Sequence, residues 1–93
     1  MSVVGEILTV AREIKLERTV GTIFYHMSTE TVELYDEIYG DVPGEDGVIG
    51  EAVDVMLCAV DIMYKQQPDI TEEDILKVVR RKLNKWQTKY GEK

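Results

Sequence analysis

The sequence predicts an all-α protein, an antiparallel four-helix bundle that is completed by oligomerisation. Apolar residues recur at helical spacing in four segments, and no strand-type alternation extends beyond a few residues. Both prolines, Pro43 and Pro68, fall in the gaps between these segments. Short connections favour antiparallel neighbours, and 93 residues are enough for one domain, predicted to span 1–93.

The first two helices are predicted from their apolar periodicity. The first covers about 2–17, with Ser2 as its N-cap, and the second covers about 19–39 and ends at Gly40 as C-cap. The apolar positions of the first helix are Val3, Ile7, Val10 and Ile14. Those of the second are Val20, Ile23, Phe24, Met27, Leu34 and Ile38.

The second half of the chain predicts a turn and two further helices. The stretch DVPGEDG at 41–47 has turn composition, and the third helix covers about 48–65. A short loop around Pro68 leads to the fourth helix, predicted at about 72–90. Thr71 is its expected N-cap, and the acidic first turn (Glu72, Glu73, Asp74) lies at the positive end of the helix dipole.

The third helix differs from the others because apolar residues occur on every side of it. Of the seventeen residues from Val48 to Tyr64, only Gly50, Glu51, Asp54 and Asp61 are not apolar. Such a helix is expected to be buried all round. A chain this small cannot bury a helix completely by itself, so a homodimer or homotetramer is predicted.

The composition excludes several classes of function. A net charge of −7 argues against nonspecific binding to nucleic acid or to an acidic membrane. The single cysteine, Cys58, excludes a disulfide within the chain and a Cys-rich zinc site. The N-terminal stretch MSVVGEILTVAREIK lacks the basic region of a signal peptide, and no run of eighteen apolar residues occurs. A cytoplasmic location is therefore expected.

Two carboxylates in the apolar third helix require an explanation. Glu51 and Asp54 lie one helical turn apart, and at about 6 Å they repel each other by about 3 kcal/mol. Glu30 and Glu33 occupy a narrow arc of the second helix, beside core positions. If the two helices pack antiparallel, these four acids converge into an oxygen-rich site that suits Mg²⁺ or Mn²⁺.

Other interpretations of the acids remain open at this point. Glu30, Glu33 and Glu37 are also compatible with an ordinary solvated helix edge. Asp61 is a further metal ligand, an acid behind the ligands or one half of a salt bridge between subunits, and the sequence does not distinguish these roles.

The fourth helix is basic in an otherwise acidic chain. Residues 75–93 contain seven of the eleven lysines and arginines, and Lys82, Lys85 and Lys89 follow one border of its apolar stripe. This pattern indicates either a clamp for polyphosphate or bases that complement the helix dipole near its C-terminus.

The acidic pattern resembles that of a known family. TETVEL (29–34) and EAVDVML (51–57) resemble the paired signatures EExxE and ExxD of the MazG-like, all-α nucleoside triphosphate pyrophosphohydrolases. Glu30 and Glu33 match the last two acids of the first signature, and Glu51 and Asp54 match the second. The resemblance covers about residues 19–90. Thr29 stands where the family has the first acid of its doublet.

The resemblance implies the family's four-helix fold, cofactor and reaction. A Mg²⁺-dependent enzyme, with Mn²⁺ as the alternative ion, would hydrolyse a (d)NTP or related nucleotide to the monophosphate and pyrophosphate. Glu30, Glu33, Glu51 and Asp54 would hold the metal, and Glu33 or Glu37 would orient the attacking water. A related pyrophosphohydrolase acting on a phosphoribosyl-nucleotide has the same signatures.

The resemblance also implies how substrate would bind. The residues expected to contact it are Lys82, Lys85, Lys89 and His26. The base pocket is expected between helices one and two, where Phe24, Tyr25 or His26 would stack on the base, although His26 is equally placed to pair with Glu30 one turn on.

A different class of function also fits the charge. A small acidic helical interaction protein, acting as a nucleic-acid mimic or as an inhibitor of a basic partner, would carry a net charge such as −7. A mimic needs its acids on the outside, whereas Glu51 and Asp54 lie in an apolar helix.

Overall fold

The chain folds into four α-helices. A computed structural model describes residues 2–41 and 44–91, and it contains α1 (Val3–Glu13), α2 (Val20–Tyr39), α3 (Gly47–Gln66) and α4 (Glu72–Tyr90). These ranges contain no strand, so the predicted all-α class is confirmed. Val42 and Pro43 of the predicted turn, and Glu92 and Lys93 of the predicted basic stretch, lie outside the described residues.

Side chains at the N-caps determine where three helices begin. The Ser2 hydroxyl accepts a hydrogen bond from the Gly5 N–H, as expected for the N-cap of α1. Thr71 and Asp74 form a reciprocal capping box at the start of α4, which confirms Thr71 as N-cap. Thr19 forms an equivalent box with Thr22 at the start of α2.

The first helix ends four residues before the predicted position. Ile14 has an extended backbone, and its N–H caps the carbonyls of Val10 and Ala11. Leu16, in the segment that follows, is 75% exposed. The guanidinium of Arg18 donates to the carbonyls of Ala11 and Leu16 and holds the segment in a non-helical path.

The helices pack through one close pair and one three-helix junction. α2 and α3 lie along each other, and α1 packs on both α3 and α4. Leu8, Val60 and Ile75 meet at the junction of α1, α3 and α4 and are almost completely buried. The partly buried residues around them are Val4, Ile7, Tyr64, Ile70 and Val79. Along the described parts of the chain, no helix combines the length and the apolar character needed to cross a membrane.

The third helix is not buried all round within one chain. Glu51, Cys58 and Val60 are buried, whereas Ile49, Met56 and several other apolar side chains of α3 are exposed. One chain alone therefore leaves part of α3 uncovered, as expected for a chain of this size, and burial of the rest by a second copy stays a prediction. The physical reason is that α2 and α1 cover only part of its circumference, and α4 meets it only through the side chains of the three-helix junction.

Candidate metal centre

Three carboxylates converge between α2 and α3. Glu30 from α2 and Glu51 and Asp54 from α3 each offer one oxygen atom, and these atoms all lie within 4.8 Å of one another. The positions follow from helical geometry, because Glu51 and Asp54 are one turn apart on the edge of α3 that packs on α2. The set is the one expected from the sequence, without Glu33.

Glu51 is the most buried member of the cluster. It is 9% exposed, and its Oε1 is a buried atom without a hydrogen-bond partner. Burial, followed by the charges of Glu33, Asp54 and Glu30, raises the pKa of Glu51 to about 6. A buried polar atom left without a partner is costly. Repulsion from the neighbouring acids and the loss of hydration therefore both disfavour the charged form of Glu51.

Glu30 is also a largely buried carboxylate, although it is less buried than Glu51. Its side chain is 13% exposed, and its Oε1 is also buried without a hydrogen-bond partner. Burial and the neighbouring Glu33 and Asp54 raise the pKa of Glu30, and His26 acts in the opposite direction. The imidazole Nε2 of His26 lies 3.2 Å from Glu30 Oε2, so His26 pairs with Glu30 one turn on.

Glu33 and Glu37, the other two acids of α2 predicted for the site, do not belong to the cluster of three carboxylates. Glu33 is exposed, yet its charge acts on both Glu30 and Glu51, so it lies at the rim of the cluster rather than within it. The carboxylate of Glu37 accepts a hydrogen bond from the Gly44 N–H in the turn after α2. This contact directs Glu37 toward the turn.

A cavity of about 490 Å³ opens beside the carboxylates, between α1, α2 and α3. Glu30 and Asp54 line one part of it, together with His26. Its apolar wall consists of Ile7, Val10, Ala11, Ile14, Leu57 and Cys58. Burial and the nearby acids raise the pKa of Cys58, so the thiol stays protonated and behaves as part of this wall.

The cavity shares only part of its lining with the pocket that was expected to hold a base. α1 contributes as predicted, but Phe24 and Tyr25 are 57% and 77% exposed and do not line the cavity. The sequence did not indicate which residues of α1 and of the residues after it line the cavity. Ile7, Val10 and Ile14 appeared in the sequence only as the apolar stripe of an amphipathic helix, because periodicity does not show which residues line a cavity.

The three lysines expected to bind substrate lie apart from the carboxylates. No residue of α4 lines the cavity, and α4 makes no close backbone contact with α2. Lys85 and Lys89 lie on a shallow surface formed by α4 alone, and Lys82 borders an apolar groove with Met63 and Trp86. A single chain does not bring these lysines to the acidic site.

Asp61 has a partner within its own chain. Arg18 donates from Nε and Nη2 to the two carboxylate oxygens of Asp61, both at 2.7 Å, and the side chains are 11% and 17% exposed. Hydrogen bonding to Asp61 raises the pKa of Arg18. Asp61 therefore forms a salt bridge within its own chain, a role that was not among those considered from the sequence. Arg18 itself carried no sequence signal beyond its charge.

No known protein family, curated protein or solved structure matches the chain.

Proposed function

We propose that the protein is a Mg²⁺-dependent nucleotide pyrophosphohydrolase of the MazG-like, all-α type, which cleaves a nucleoside triphosphate or related nucleotide into the monophosphate and pyrophosphate. The observation that carries the proposal is the unpartnered, buried Oε1 of Glu51, within a cluster of three carboxylates beside a largely apolar cavity. The paired signatures at 29–34 and 51–57 support it.

The residues fit a hard divalent cation. Glu30, Glu51 and Asp54 supply oxygen atoms only, which Mg²⁺ and Mn²⁺ prefer, and the unsatisfied oxygens of Glu30 and Glu51 provide free ligand positions. When bound, the ion would neutralise phosphate charge and lower the pKa of a coordinated water.

The remaining groups have roles that follow from their positions. Glu33, exposed at the rim beside Glu30, is placed to accept a proton from an attacking water. The apolar wall of α1 and α3 suits the flat face of a nucleobase, and His26 at the edge of the cavity offers a donor to substrate. Lys82, Lys85 and Lys89 enter the reaction only through another chain or a movement of α4, so the proposal does not depend on them.

Three features predicted from sequence belong to the same proposal. They are the antiparallel arrangement of the helices, a cytoplasmic location, and a homodimer or homotetramer as the working form. The family resemblance supports the first, and the exposed apolar side chains of α3 support the third.

The test compares metal binding and catalysis in two matched variants. Millimolar Mg²⁺ or Mn²⁺ is expected to raise the melting temperature of the wild type through linkage, and a panel of nucleotides should yield a monophosphate and pyrophosphate. Asp54→Asn keeps the shape but removes a ligand charge. It should abolish the metal-induced shift, lower turnover by about 100-fold or more, and fold at least as stably without metal.

Asp36→Asn is the control, because Asp36 is exposed on α2 and does not belong to the triad. It should behave as the wild type in both measurements. If the wild type shows no shift and no turnover on the panel, and Asp54→Asn fails to fold, the carboxylates are structural. The acidic interaction protein then becomes the better explanation of the net charge of −7.

A further inference from the structure

The C-terminal half of α4 is an amphipathic helix that the rest of the chain leaves uncovered. Every residue from 80 to 90 is exposed, and among the described helices only α1 makes close backbone contact with α4. Leu83, Trp86 and Tyr90 nevertheless recur at helical spacing on one side of α4, and they are 51%, 62% and 68% exposed. These three residues form what we call the α4 stripe. An apolar stripe of this kind normally faces an element that covers it.

A groove of about 660 Å³ lies beside the α4 stripe and shares Leu83 and Trp86 with it. Of the described residues that line the groove, only Lys82 is charged. The volume is within the range of about 300–1,000 Å³ that binding pockets have, and the apolar lining suits apolar side chains better than a charged small molecule. Met63 lies in the lining, and methionine adapts to partner side chains of different shapes. The remaining lining residues are Ile70, Ile75, Val78 and Val79.

A basic border follows one edge of the α4 stripe. Lys82, Lys85 and Lys89 recur at three- and four-residue spacing, and the turn of about 100° per residue places them together on one flank of the stripe. No acid occurs from Ile75 to Gly91, although the chain has eighteen. None of the three lysines forms a salt bridge with another residue that the structure describes. The border therefore offers its positive charge to a partner.

The distribution of charge distinguishes between the classes of partner. A lipid bilayer or a nucleic acid extends far beyond the stripe, so it would also meet the field of the eighteen acids that the rest of the chain carries. Two copies packed α4 against α4 through a two-fold axis would bring their basic borders together, and like charges repel. A single helix with acids along its edge touches only the stripe and the lysines, so the charges favour this partner.

We propose that the α4 stripe and its groove bind an acidic amphipathic helix of a partner protein. The span from Val79 to Tyr90 is about 16 Å at 1.5 Å per residue, so the partner supplies about three helical turns. Its apolar side chains, at positions i, i+3 and i+7, enter the groove around Trp86 as the central anchor. Its Asp or Glu side chains face the basic border and set the orientation of the helix. This binding uses neither the metal nor the reaction, so it stands or falls separately from the proposed function.

The experiment uses the emission of Trp86, the only tryptophan of the chain, as a direct report on the groove. The probe is a synthetic helical peptide without tryptophan, with leucines at i, i+3 and i+7 and glutamates beside them. Added to the full chain, it should shift the emission to the blue in a saturable way, with a dissociation constant in the micromolar range that rises with salt. A matched peptide with lysines in place of the glutamates should bind at least about 10-fold more weakly.

Three variants locate the binding on α4. Leu83→Glu places a charge within the stripe and should weaken binding of the glutamate peptide by about 30-fold or more. Lys85→Glu reverses a charge of the basic border and should weaken it by about 10-fold. Lys77→Glu is the control, because Lys77 lies on the side of α4 opposite Trp86 and does not line the groove; it should bind as the wild type does. Circular dichroism shows whether each variant is folded, and if Leu83→Glu is not, the two peptides and the two lysine variants carry the test.

Several results would overturn the proposal. They are the absence of a saturable shift, equal affinity for the two peptides, or unchanged affinity in folded Leu83→Glu and Lys85→Glu variants. A blue shift with phosphatidylserine vesicles but not with the glutamate peptide would make the surface a lipid-binding one instead. If the emission of the free chain shifts to the red on dilution, and Leu83→Glu removes this dependence, a second copy already covers the groove and the proposal is wrong.

Discussion

Glu51 is the residue on which the proposed metal site depends most. The helix around it is apolar, so the fold buries its carboxylate beside Glu30 and Asp54, and one oxygen remains without a hydrogen-bond partner. Removing a charge from this position should therefore have opposite effects with and without metal. Without metal it relieves repulsion, and with metal it removes a ligand.

The first prediction concerns the pH dependence that Glu51 contributes. Its pKa is about 6 in the folded chain and 4.5 ordinarily, so the folded state holds the proton more tightly. The contribution of Glu51 to stability is therefore complete below about pH 4.5 and is lost as the pH rises through about 6. In the presence of a chelator, the melting temperature of the wild type should fall relative to that of Glu51→Gln across this window.

The comparison between variants is needed because other acids also make the stability of the fold depend on pH. Hydrogen bonds to Ser2 and Thr71 lower the pKa values of Glu72 and Asp74, and these acids favour the folded state as the pH rises. Glu45→Gln, a change in an exposed residue of the turn, should follow the wild type. If the melting temperatures of the wild type and Glu51→Gln change in parallel between pH 4.5 and 6, folding does not raise the pKa of Glu51.

At the scale of elements, the α1–α2 connection is held by one ion pair. Arg18 joins the Ala11 carbonyl, near the end of α1, to the Asp61 carboxylate on α3, and its guanidinium lies 6.0 Å from the centre of the Tyr64 ring. The connection thereby fixes α1 against α3, and α1 supplies the apolar wall of the cavity. The pair supports the site without touching the three carboxylates.

The second prediction is that Asp61→Ala destabilises the fold by about 1–3 kcal/mol, because it leaves a largely buried guanidinium without its carboxylate. Urea unfolding measures the change. Glu73→Ala is the matched control, since Glu73 pairs with Arg80 where both side chains are about 60% exposed, and its loss should cost less than about 1 kcal/mol. Equal effects of the two changes would mean that Arg18 does not hold the connection.

At the scale of the whole molecule, a small junction joins three helices. Leu8 is 1% exposed and contacts Val60 and Ile75, so it links α1, α3 and α4. Without a second chain, no larger core compensates, because twenty large apolar side chains of the described residues remain exposed. The stability of one chain therefore depends on few contacts.

The third prediction follows from this junction. Leu8→Ala should lower the free energy of unfolding by about 2–5 kcal/mol, through lost apolar burial and the cavity left behind. The exposed Leu16 provides the control, and Leu16→Ala should change the stability by less than about 0.5 kcal/mol. Denaturant titration at a fixed protein concentration measures both. A Leu8→Ala effect as small as that of the control would place the main core elsewhere.

The sequence alone determined the helices and the identity of the acids. Periodicity and caps are local properties, so the existence of all four helices and the caps Ser2, Gly40 and Thr71 could be predicted. The carboxylates Glu51 and Asp54 stood out because a buried-looking helix carried charge. Glu30 joined them because helical spacing placed it beside core positions of α2.

The tertiary structure decided everything that depends on which faces meet. It paired Asp61 with Arg18, forty-three residues away, and it ended α1 at Glu13, since contacts from Arg18 outweigh helix periodicity there. It turned Phe24 outward, directed Glu37 to the turn, and left Lys82, Lys85 and Lys89 apart from the acids. The physical reason is that an amphipathic pattern fixes which side of a helix is apolar, whereas only packing selects the neighbour that covers it.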